Sequence, residues 1–151
     1  MCFALLILGC ANMTAAYYGF EFDVREDNQD AVILDYKYLA GDKVQVAADP
    51  QYVKEGRHFP QQAVFGPMLR GTSIYVKWKS KESGQIYEDT VDLRSQLRRE
   101  DMDGKIVYLM IRGPQLYVYL ISKERRPSQE PPIGPRALSY RSTRLIYPVN
   151  Q

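Results

Sequence analysis

Histidine is nearly absent from this chain: His58 is the only one. A Ser-His-Asp or Cys-His catalytic set must therefore be built around it. His58 stands in GRHFP beside Arg57, and a cationic neighbour disfavours the imidazolium that a general base must become. No serine occupies a G-x-S-x-G elbow, and Ser83 falls in a turn. His58 therefore reads as a loop residue and the chain as non-catalytic. Cysteine is almost as scarce. Cys2 and Cys10 both fall in the first ten residues, so the remainder has no thiol to pair and must be held by its core rather than by disulfides. Apolar runs are short of the about 20 residues of a membrane-spanning helix. No Gly-rich strand-to-helix loop is present to cradle a nucleotide, and a net charge of +2 is too small to mark a nucleic-acid binder. No cofactor is expected.

What is present begins with MCFALLILGC. An apolar run of this length that ends in small residues fits the end of a secretory signal peptide. A buried first strand and a cleaved soluble-export signal are the alternatives. Ile7-Leu8-Gly9-Cys10 resembles the lipobox of bacterial lipoproteins, which implies that Cys10 is acylated and becomes the first mature residue. Ala11 follows it, where inner-membrane lipoproteins carry an aspartate. The expected organisation is a signal over 1–9, a lipidated linker over 10–16 and one domain over 17–151, on the periplasmic face of the outer membrane.

The domain reads as short strands. GFEFDVRED alternates with period two, setting Phe20, Phe22 and Val24 against Glu21, Asp23 and Arg25. AVILDYKYLAGD sets Val32, Leu34, Tyr36 and Tyr38 against Asp35 and Lys37, and the two segments are expected to form a hairpin or adjacent strands. Residues 48–71 carry three prolines and three glycines without a sustained period and read as a long loop, with a helical turn at Pro50 to Glu55 as the alternative. SIYVKWKS and IYEDTVDL, joined by KESGQ, form a hairpin with Ile74, Val76 and Trp78 inward. KIVYLMIRGPQLYVYLISK is a second hairpin whose arms lack polar alternation and should be covered on both faces. LRSQLRREDMDG alone is rich in helix formers. A proline-rich crossing leads to a last strand, SYRSTRLIYP. The pattern predicts a mainly β fold, a compact antiparallel β-sandwich of about seven or eight strands in a single domain.

Charge is unevenly spread. Residues 11–50 hold eight acidic and three basic residues, a balance of −5, and 51–151 hold seventeen basic and ten acidic, a balance of +7. Such polarity suits electrostatic docking on a protein. The basic tail, with Arg125, Arg126, Arg136, Arg141 and Arg144, equally suits anionic lipid beneath an anchored domain. Glu26, Asp27 and Asp30 cluster in one turn, but their spacing fits no EF-hand loop, and no metal is expected there. Glu88, Asp89 and Asp92 of EDTVD read as wet outward residues of a hairpin. Twelve tyrosines against five phenylalanines is a composition common at binding surfaces, although β-propensity explains those in the strand arms. The candidate contact residues are Glu26, Asp27 and Asp30 of the acidic turn, and Tyr52, Arg57, His58 and Phe59 of the long loop.

The run YVKWKSKESGQIYEDTVDLRSQL, then GPQLYVYLI and a close near IYP, resembles the small lipoproteins of Gram-negative bacteria encoded beside type VI secretion effectors. It is most similar to those proposed as immunity proteins for antibacterial phospholipases, and the resemblance covers residues 74–148. It implies an outer-membrane-tethered periplasmic protein that binds and blocks a cognate secreted lipase effector. An envelope scaffold or assembly lipoprotein without inhibitory activity is the alternative.

Overall fold

Period-two burial organises the first strand. In β1 (Ala16–Asp23) Tyr18, Phe20 and Phe22 are fully buried, while Tyr17, Glu21 and Asp23 of the opposite face are exposed or half-buried. The computed structural model describes residues 14–149. Cys2, Cys10 and the expected signal and anchor lie outside them. After β1 come β2 (Val32–Ala40), β3 (Lys43–Ala47), α1 (Pro50–Lys54), β4 (Gln61–Met68), β5 (Ser73–Lys79), β6 (Ile86–Asp92), β7 (Ile106–Arg112), β8 (Gln115–Arg125) and β9 (Arg141–Tyr147). Single 3-10 turns occupy Arg99–Asp101 and Arg136–Leu138.

Two sheets result, one ordered β4-β1-β7-β8-β9 and the other β3-β2-β5-β6. The protein is the mainly β sandwich that the pattern predicts. It has nine strands among the described residues, and one pair, β1 with β7, runs parallel.

The first two strands depart from the expected hairpin. β1 lies between β4 and β7, while β2 lies in the other sheet between β3 and β5. The connection is an arch over residues 24–31, in which Asp27 and Asn28 take left-handed backbone angles (φ 59° and 54°). Asp and Asn tolerate that region better than other non-glycine residues. The reason for the arch is in the packing. Rings from the two strands meet face to face across the core: Phe20 stacks on Tyr38 with centroids 4.9 Å apart, and Phe22 meets Tyr36 edge-on at 5.0 Å. A hairpin would lay those rings side by side on one surface.

A second correction concerns phase. Ile33, not Val32 or Leu34, is fully buried in β2, because the register with β5 shifts between Ile33 and Asp35 and a bulge moves the faces by one residue. A third concerns residues 48–71, which are not one loop. Asp49 caps α1 by accepting the Gln51 N–H at 2.8 Å, with Pro50 opening the helix. β4 then pairs with β1 along its whole length. Its pattern is faint because it is an edge strand with Gln61, Ala63, Phe65 and Pro67 facing solvent, and an edge tolerates proline.

The two C-terminal hairpins form as expected. Ile74 pairs with Val91 and Trp78 with Tyr87. The Trp78 ring stacks on Tyr87 at 5.7 Å, and its Nε1 donates to the Gly113 carbonyl at 3.1 Å, tying one hairpin to the other sheet's turn. β7 and β8 are covered on both sides. Val107, Leu109, Ile111, Leu116, Val118 and Leu120 face the sandwich core, while Ile106, Tyr108, Met110, Tyr119 and Ile121 pack beneath Leu138 of the proline-rich crossing and Leu145 of β9.

At one end of the aromatic core the Tyr18 and Tyr38 hydroxyls are 2.8 Å apart, and Tyr18 donates to the Leu69 carbonyl at 2.5 Å. Gly71 lies against them so closely that a Cβ there would stand 2.1 Å from the Tyr38 ring.

Two outcomes follow from this packing. Trp78→Ala removes a fully buried ring and is expected to cost about 3–5 kcal/mol, measured by urea denaturation. The wild-type emission maximum should be that of a buried indole. Burial also raises the Tyr18 and Tyr38 phenols, Tyr38 well above its ordinary value. A phenol with a raised folded pKa contributes fully below the unfolded value of about 10, and that contribution is lost as pH climbs from there through the folded pKa. Tyr38→Phe is expected to cost about 1 kcal/mol at neutral pH for the lost hydrogen bond. It should also flatten the fall in stability above about pH 10, read by denaturation at successive pH values.

Candidate functional site

Two connections meet at the end of the sandwich where β1 finishes. The arch over 24–31 and the start of β2 are joined to the segment 55–60 by backbone hydrogen bonds, Val24 N–H to the Pro60 carbonyl at 3.0 Å and Phe59 N–H to the Ile33 carbonyl at 2.9 Å. Between them lies a cleft of about 210 Å³ lined by Val24, Arg25, Ala31, Val32, His58, Phe59, Pro60 and Lys81. Its floor is apolar, since Val24 and Ala31 belong to the core. The Phe59 ring meets Tyr36 edge-on at 5.5 Å, which sets it firmly against that core.

Cations border the cleft. Arg25 is fixed by paired hydrogen bonds to Asp23, 2.9 Å from Nε and 2.7 Å from Nη2, and by a third to Gln61 at 2.6 Å. The guanidinium holds the Asp23 carboxyl below the usual carboxylate range. Lys81 comes from the KESGQ turn. No carboxylate is among the lining residues, and among the described residues no three His, Cys, Asp or Glu side chains gather as a metal site.

The residues singled out from sequence are only partly brought together. His58 and Phe59 line the cleft. Tyr52 and Arg57 stand just outside it as a unit: Gly56, at φ +71°, ends α1 and turns the chain so that the Arg57 guanidinium lies 4.2 Å from the centroid of the Tyr52 ring. Glu55 accepts from Arg57 Nε at 2.6 Å. Tyr52 is 43% exposed.

The three acids of the arch point in three directions. Glu26 is exposed. Asp27 accepts the Arg136 backbone N–H at 3.0 Å, which pins the proline-rich crossing. Asp30 accepts the Ser80 hydroxyl at 2.5 Å and the Glu82 N–H at 2.9 Å, which fixes the KESGQ turn. Gln29, buried between them, donates to the Asp23 and Glu26 carbonyls at 2.9 and 3.2 Å and accepts the Ile111 N–H at 2.8 Å. The arch is thus a built structure rather than a wet turn, and only Glu26 is free for a partner.

Sequence reasoning missed Val24, Arg25, Pro60 and Lys81. A register for β4 would have found the first three, because Asp23 pairs with Gln61 and so draws Pro60 up to Val24, while Lys81 follows from the pairing of Val32 with Lys79. No known protein family, no curated protein and no solved structure matches this chain.

The division of labour in the arch is testable by thermal melts. Asp27→Ala removes the acceptor of the exposed Arg136 N–H and is expected to cost about 0.5–1.5 kcal/mol. Glu26→Ala should fall within about 0.5 kcal/mol of wild type.

Proposed function

We propose that the chain is a periplasmic lipoprotein, anchored through Cys10 to the outer membrane, that binds and neutralises a secreted lipase effector. The observation that carries the binding part of this reading is the cleft: an apolar floor and cationic borders, built from connections rather than from strand cores. Loops on a rigid β scaffold are the usual place for binding residues. A pocket of this size accepts one apolar side chain, and such an anchor surrounded by polar contacts is the layout of an interface hot spot. Support for binding over catalysis comes from the surroundings of His58, which shares the cleft with Arg25 and Lys81 and with no carboxylate. The partner class is the one that the resemblance noted in the sequence of residues 74–148 implies. The contacts at the rim are Glu26, Tyr52, Arg57 and His58, while Asp27, Asp30 and Phe59 hold the frame on which they stand.

The test is survival of cells that express the cognate lipase effector in the periplasm together with this protein. Wild type is expected to protect. The combined Glu26→Ala, Arg57→Ala, His58→Ala variant should lose binding by tenfold or more, since truncating hydrogen-bonded interface charges costs about 2–5 kcal/mol. Its thermal stability should be nearly unchanged. Equal killing with and without the wild-type protein removes the immunity reading and leaves the scaffold alternative. Full protection by the triple variant moves the contact face elsewhere.

A further inference from the structure

The end of the sandwich opposite the cleft has its own chemistry. β1 begins there and spans eight residues, so the two ends are roughly 25 Å apart. The chain enters the fold at this end through a specific clamp. Arg99 donates from Nε to the Thr14 carbonyl at 3.1 Å and from Nη2 to the Ala15 carbonyl at 3.0 Å, while the Tyr17 N–H is accepted by Asp103 at 3.2 Å. Next to the clamp is an open depression of about 460 Å³ lined by Ser95, Gln96, Arg98, Asp101, Lys105 and Arg144. Lys123 packs against Gly104 on its border, with Nζ 3.4 Å from where a Cβ would stand, and Arg70 reaches in to the Leu97 carbonyl at 3.3 Å.

The carboxylates at this end are largely committed. Asp103 serves the clamp, Asp101 faces Arg98 at 3.8 Å and Asp92 is paired with Arg94 at 2.6 Å; Glu100 remains exposed. Lys105, Lys123 and Arg144, whose Nη2 donates to the Gln96 carbonyl at 2.9 Å, form a cationic surface together with the Asp101-paired Arg98, and Tyr17, 63% accessible, lies beside it. Lysine and arginine with an interfacial tyrosine is the composition that anionic membrane surfaces attract.

We propose that this end is a seat for anionic lipid headgroups, with Arg98, Lys105 and Arg144 as its principal contacts. The inference rests on the reading of Cys10 as the anchor. Thr14 is four residues from Cys10, a span of at most about 14 Å, so an acyl chain on Cys10 holds the clamp close to the bilayer. Each cation near an anionic surface contributes weakly, too little to recruit a free protein but enough to orient a tethered one. With that end down, the cleft points away from the membrane, toward whatever diffuses in the periplasm. The lipid seat and the effector-binding face are therefore separate surfaces.

The experiment uses the full lipidated protein reconstituted in vesicles, without any effector. Acylation is first verified by mass. Because the mature chain then has no free thiol, a fluorophore can be placed through Ser95→Cys at the seat or Lys54→Cys at the far end. Vesicles contain a headgroup-quenching lipid and either phosphatidylcholine alone or phosphatidylcholine with phosphatidylglycerol. The Ser95 probe should be quenched in the anionic vesicles, and quenching should fall to the phosphatidylcholine level in high salt or on Arg98→Glu, Lys105→Glu substitution. The Lys54 probe should stay unquenched throughout. Equal quenching of the two probes, or quenching of the Ser95 probe that ignores lipid charge and charge reversal, overturns the seat even if effector protection stands. A mass without an acyl group overturns the anchored seat at its foundation, and loss of protection with normal quenching implicates the immunity reading alone.

Discussion

Rings from β1 and β2, facing each other between the sheets, are the constraint on which the remaining structure depends. Tyr18, Phe20 and Phe22 on one side and Tyr36 and Tyr38 on the other form a continuous run of stacked and edge-on contacts, which Phe59 extends at its far end. Aromatic pairs favour such offset and perpendicular geometries over simple contact. Because the two strands are consecutive in sequence, their rings can meet only if the chain crosses from one sheet to the other between them. The arch at 24–31 is that crossing. Its left-handed Asp27 and Asn28, its buried Gln29 and the cleft beside it all follow from the need to join two facing strands. At the opposite end the same run of rings requires a residue without a side chain at Gly71, where the Tyr38 ring occupies the space a Cβ would need.

Much of this was legible in the sequence, for identifiable reasons. Alternation in SIYVKWKS and IYEDTVDL, with KESGQ between, is local information, and the hairpin it describes depends on little else. The nearly unbroken apolar arms of β7 and β8 likewise announce coverage on both faces, and Leu138 and Leu145 provide the second cover. The pairing of β1 was not legible, because alternation marks which face a strand buries and is silent about its neighbour. β1 has β4 on one side and the distant β7 on the other, a choice made by ring packing across the core. β4 itself was hidden by its place at the edge: half of its side chains face solvent, and its Pro67 resembles a loop residue. The bulge in β2 shifted the phase by one residue, which is enough to exchange Ile33 for its neighbours.

The candidate surface was legible only in part. His58 was visible as the single histidine and Phe59 as its neighbour in the expected long loop, and both line the apolar-floored cleft. Asp27 and Asp30 looked like surface charge, whereas their carboxylates serve as acceptors that hold the proline-rich crossing and the β5–β6 turn. Hydrogen bonds between segments 50 or more positions apart in the chain leave no trace in a local pattern. What a single sequence does carry is the sign and scarcity of chemical groups.

The placement of β1 has a mechanical meaning. Most N-terminal strands that lie at a sheet edge can be peeled away one hydrogen bond at a time. β1 is interior: eight of its residues are in register with β4 on one side and four with β7 on the other, and the Arg99 clamp grips the chain where it leaves. A pull applied at Thr14 along the strand loads those bonds together, in shear, so that they must yield collectively. The fold is in this way strongest against a force drawn along β1 from Thr14.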